Sequence, residues 1–156
     1  MSARPAGIVS FQTNAAATAF PQIEIDAAAN ITIQVTEIGI SQNGPPNATD
    51  TPPDWSLRRA SAGGAGGTAI TPAKMQADTT TTLQTTAKSH GGTPFTTQGT
   101  LQDQLHRWFV PIVTGMIWVA APGREVDCEG ADFIQLMNVA ALPASRAANV
   151  YIVFEE

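Results

Sequence analysis

Charge is scarce in this sequence. Asp, Glu, Lys and Arg make up 13% of its 156 residues, against roughly 25% in an average soluble domain. Basic residues are rarest, with two lysines and a net charge of −5. Apart from the pair Arg58-Arg59, no two of them are adjacent. Gripping a nucleic-acid backbone requires a basic face that releases counterions, so no nucleic-acid partner is expected. Cysteine is almost absent: Cys128 stands alone. That excludes a disulfide within the chain and a zinc site built from two or more of its cysteines. In an alternating apolar run, Cys128 reads as a small buried side chain. No apolar run approaches the ~18 residues of a membrane span, and no membrane partner is expected. Residues 1–10 lack the apolar stretch of a secretory signal, so synthesis and folding in a cytoplasm are expected.

Ala, Thr, Gly and Pro occupy the places that charge leaves, while apolar residues reach an ordinary 43%. Helical proteins cover their outer faces with Lys, Glu, Arg and Gln. Thr, Ser, Asn and Gln suit strand faces and turns instead. A weakly ionised surface also costs little to desolvate against a partner, and depletion of charge marks the core of protein interfaces.

Alternation along the chain agrees with strands. Residues 1–18 read as an arm with one short edge strand at Ile8-Val9-Ser10-Phe11, and residues 19–156 as a single domain. Phe20–Asp26 and Asn30–Thr36 largely alternate apolar with polar, and the short Ala27–Asn30 link between them reads as a hairpin. Ile31, Ile33 and Val35 share one face, but Ile38 and Ile40 follow on the opposite parity. One extra residue near Thr36-Glu37, a β-bulge, would return them to the core.

Gln42–Asp54 is rich in turn residues, Trp55–Arg59 is a strand with Trp55 and Leu57 inward, and the glycines of 60–68 mark a flexible loop. That loop lacks the Gly-Lys-Ser/Thr ending of a phosphate loop. Thr79–Thr86 reads as a Thr-rich strand and 89–94 as a loop. Further strands are expected within Leu105–Val113, Met116–Val119, Arg124–Cys128, Phe133–Val139 and Val150–Glu156, with Val150, Ile152 and Phe154 on one face. Eight to ten short strands between turns is the pattern of an all-β, antiparallel β-sandwich or jelly roll.

Candidate chemistry is thin. Neither His90 nor His106 accompanies a Gly-x-Ser-x-Gly nucleophile turn. Glu24-x-Asp26 and Glu125-x-Asp127-x-Glu129 each place carboxylates ~7 Å apart on one strand face. Glycoside chemistry or a Ca²⁺ site is one reading of them, and a solvated outer face is the simpler one. Trp55, Trp108 and Trp118 read as core or interface anchors, with a sugar platform as the alternative. Arg58 and Arg59 read either as contacts to a neighbouring subunit's carboxylate or as a solvated pair.

Several stretches resemble small phage-encoded virion proteins of the capsid decoration (cement) type. They are Ile23-Glu24-Ile25-Asp26-Ala27, the alternating run Ile31–Ser41, Thr71-Pro72-Ala73-Lys74, Leu105-His106-Arg107-Trp108, Ile117–Glu125 and Val153–Glu156. The resemblance spans most of the chain from Ile23 onward, and its motifs are structural. It implies a jelly roll or related sandwich, commonly a homotrimer, bound outside an icosahedral capsid and bridging major capsid proteins. The arm would then reach a neighbour. The resulting expectations are a non-enzymatic virion protein with no catalytic residue, cofactor or metal. No residue-level site follows from the resemblance; the residues of this sequence expected at an interface are Phe11, Trp55, Arg58, Arg59, Trp108 and Trp118. Another virion component (head fibre base, head-tail connector or tail protein) and a carbohydrate-binding sandwich module are the alternatives.

Overall fold

The computed structural model describes residues 4–13, 19–43, 51–76, 82–111, 113–140, 142 and 147–156. Among them it contains twelve strands: β1 Ala6–Gln12, β2 Pro21–Asp26, β3 Ile33–Asn43, β4 Asp54–Ala62, β5 Thr68–Ile70, β6 Ala73–Lys74, β7 Thr86–Ser89, β8 Thr100–Phe109, β9 Met116–Val119, β10 Val126–Cys128, β11 Phe133–Asn138 and β12 Ala147–Glu155. They form two antiparallel sheets. The first runs β10-β3-β12-β1-β6, with β9 also on β3, and the second runs β5-β7-β2-β11-β4-β8. The protein is an all-β sandwich.

The pairing has a simple logic. β1 pairs with β12, β2 with β11, β3 with β9 and β10, and β4 with β8. The early strands therefore meet the late strands in reverse order, and successive pairs alternate between the first and second sheets. The chain is one long antiparallel hairpin rolled up on itself. Residues 63–99, between β4 and β8, hold the three short strands β5, β6 and β7.

Alternation builds the core. Ile33, Val35, Ile38, Ile40, Val150, Ile152 and Phe154 from the first sheet meet Ile23, Ile25, Trp55, Leu57, Ile134 and Leu136 from the second, all fully buried. Each such side chain contributes about 1.5–3 kcal/mol relative to exposure. The bulge expected in β3 is present. Val153 pairs with Glu37 and Phe154 with Val35, so Thr36 has no register partner on β12 and the two parities share one buried face. Cys128 is buried as expected, and burial, with Asp132 as the next cause, pushes its thiol pKa up to about 12.

Other expectations give way. Residues 27–30 do not close a hairpin, because β2 and β3 lie in different sheets. A turn closed by Ile31 N–H on the Ala28 carbonyl carries the chain across the sandwich, which lets the isoleucines of both strands face one core. β1 is not an edge strand on a free arm, since it lies between β12 and β6. The Thr-rich strand is misplaced: 79–81 lie outside the described residues, 82–85 are not strand, and β7 begins at Thr86. β4 extends to Ala62, and Ser89 belongs to β7.

Candidate interaction surface

The two sheets present different outer faces. On the second sheet, the outer positions Gln22, Glu24, Arg58 and Gln135 are almost wholly buried. Segments 63–67 and 94–99 cover them. Gly66 bridges to Phe95, Thr96 N–H donates to the Ala65 carbonyl at 2.8 Å, and Phe95 is itself buried. Gly66 and Gly67 have φ of 84° and 83°, and a Cβ at Gly67 would lie 2.7 Å from the Phe95 ring. The glycine loop is thus a fitted roof, where a flexible loop was expected.

A polar chain fastens this roof. Glu24 accepts from Gly64 N–H at 2.7 Å and from Gln135 Nε2 at 2.5 Å. Arg58 Nε donates to Gln135 Oε1 at 2.7 Å, and its Nη atoms donate to the side chain and carbonyl of Gln98. Burial lowers the Arg58 pKa, and the Glu24 carboxylate opposes that shift. Glu24 is therefore a buried anchor, where a solvated face was expected. Its partner in that reading, Asp26, is half-buried, and burial raises its pKa against the pull of Lys88.

His90 holds the roof's far side. Its ring stacks between Phe20 and Phe95, at centroid distances of 5.8 and 6.2 Å. Its Nδ1 accepts the Phe95 N–H at 3.2 Å, which requires a neutral imidazole. Burial lowers its pKa.

On the first sheet, the outer positions Ser10, Gln12, Ser41, Asn149, Ile117 and Val119 are exposed. The sandwich flank between the two sheets is closed by His106 and Trp108 of β8 against Trp118 of β9, with centroids 4.9–6.1 Å apart. Around this flank lie Phe109, Val113, Ile117 and Val119, four of the six exposed large hydrophobics among the described residues. Their exposures run from 62% to 78%.

Of the residues expected at an interface, Trp108 and Trp118 come together here, half-buried. Trp55 does not reach the surface; it is fully enclosed in the core. Arg58 is likewise withdrawn, spent on the buried polar chain. Arg59 pairs with Asp103 at 3.1 Å within the same chain and donates to the Asp127 carbonyl. Phe11 packs partly against the core from β1. The exposed quartet was hidden within runs read simply as strands. Consecutive apolar residues at 108–110 meant that some must face outward, but not which.

Comparison of this chain with protein-family models, with curated proteins and with solved structures found no match. Both histidines sit in aromatic stacks. Among the described residues no three His, Cys, Asp or Glu side chains come together in a way that suits a metal. In the Glu125–Glu129 stretch, Glu125 accepts from Gly123 N–H at 3.0 Å, and Asp127 accepts from Gln34 Nε2 at 3.0 Å. Among the described residues no helix is long and apolar enough to cross a membrane.

Proposed function

We propose that this chain is a non-enzymatic virion structural protein, a decoration protein that binds the outside of an icosahedral phage capsid and bridges its major capsid proteins, acting as a homotrimer. The observation that carries the reading is the exposed quartet Phe109, Val113, Ile117 and Val119 around the β8–β9 flank. Burying each of these against a partner is worth about 1.5–3 kcal/mol before association costs, and few ions must be stripped of water to do so. The reversed pairing of early with late strands supports the finer reading of the sandwich as a jelly roll. A protein that binds the assembled shell and not its separate subunits stabilises the shell by mass action. Three linked copies raise avidity without strong single contacts.

The test is co-sedimentation of the purified chain with expanded empty heads that lack it, together with light scattering. Trimers that bind heads, and a Phe109→Asp/Val113→Asp variant that stays folded but no longer binds, are the expected results. A monomer that ignores heads overturns the reading.

A further inference from the structure

The centre of the first sheet's outer face holds an arrangement that shares only Ile117 with the β8–β9 docking flank. Strand register places Ser10, Tyr151, Gly39 and Ile117 in one row across β1, β12, β3 and β9. The next row is Gln12, Asn149 and Ser41. The Tyr151 ring lies directly on the backbone of Gly39: a Cβ there would sit 1.9 Å from Tyr151 Cε1 and 2.3 Å from Cζ. Its hydroxyl donates to Glu37 Oε1 at 2.5 Å, and that bond pushes the phenol pKa up to about 12. The ring is thus a fixed, uncharged platform.

A depression flanks it on each side, of about 390 Å³ and about 360 Å³. Ser41 and Tyr151 line both. The first adds Thr114, Met116 and Ile117, and the second adds Ser10, Gln12 and Asn149.

We infer that this shelf binds a neutral oligosaccharide, with a sugar's C–H face on the Tyr151 ring and its hydroxyls on the surrounding hydroxyl and amide groups. The lining contains hydroxyls, amides and apolar walls but no Asp, Glu, Lys or Arg. A phosphate or sulfate would find no counter-charge in it, whereas a pyranose needs an apolar face beside neutral donors and acceptors. The platform sits on sheet strands, so little ordering accompanies binding.

The experiment is an amide NMR titration of the full chain with maltotetraose, cellotetraose and chitotetraose, with a heparin tetrasaccharide alongside. At least one neutral sugar should shift the amides of Ser10, Ser41, Asn149 and Tyr151, and the heparin fragment should not. Tyr151→Phe keeps the ring and should hold affinity within about threefold, while Tyr151→Ala should weaken it about tenfold or more. Because Tyr151→Ala also strips support from Gly39, Ser41→Trp is the second variant. It fills both depressions from an exposed position and should abolish sugar binding. No shift with any neutral sugar, shifts confined to His106–Phe109 and Trp118, equal binding of heparin, or full binding by Ser41→Trp each overturns the inference. Head binding is read separately on Phe109 and Val113, so either reading fails without the other.

Discussion

The outer faces of the two sheets solve the same problem in opposite ways. On the second sheet, polar side chains are buried under segments 63–67 and 94–99 and tied to one another. On the first, small polar residues and Tyr151 face solvent directly. The difference arises from segments 63–67 and 94–99, which fold back over the second sheet and supply its roof. A buried charged network holds one arrangement of its parts, because any missing partner leaves an unpaired group out of water. An exposed sheet face carries no such constraint and remains available for ligands or partners. In this molecule, rigidity and availability are assigned to different sheets.

The largest expected effect tests the roof. Arg58→Ala strips the donors from the buried Gln135 oxygen and the part-buried Gln98 oxygens and leaves Lys88, at 3.9 Å, as the remaining cation on Glu24; it should cost about 2–4 kcal/mol, measured by urea unfolding. It should also speed proteolytic cleavage within 63–67 and 94–99. Next comes the open face: Gly39→Ala drives a methyl into the Tyr151 ring and should cost about 1–3 kcal/mol. Loss equal to that of Arg58→Ala would show that the open face is as tightly determined as the roofed one.

The roof should also respond to acid. His90 has a folded pKa below its ordinary 6.5, so the unfolded chain takes up the proton first. The stabilisation is complete above that ordinary value and is lost as pH falls through it toward the lower folded pKa. Protonation at Nδ1 also removes the acceptor for Phe95 N–H. Amide protection factors in 95–99, corrected for the intrinsic slowing of exchange in acid, should therefore fall below about pH 6.5, and less so in His90→Phe. The smallest effect on stability belongs to the flank. Phe109→Ser should change unfolding free energy by no more than about 0.5 kcal/mol, and its consequence should appear in head binding alone.

Where strand residues needed only their own neighbours, the pattern was legible in advance. The parity change between Val35 and Ile38 announced the Thr36 bulge, and Met116–Val119 and the buried face of Val150, Ile152 and Phe154 were readable from alternation. Glu24 and Arg58 were misread because alternation marks them as outward, which they are; nothing local reveals that residues 64 and 98 come to lie above them. Trp55 was correctly placed inward, and that same placement removes it from any interface.

The periodicity of two committed this chain to stacked sheets, because an alternating strand can hide its apolar side only against another such layer. Which polar positions ended up dry, which aromatics reached the surface and which side of the sandwich stayed open were decided by segments dozens of residues away. Burial is a property of what packs on top, and no residue carries that information in its own neighbourhood.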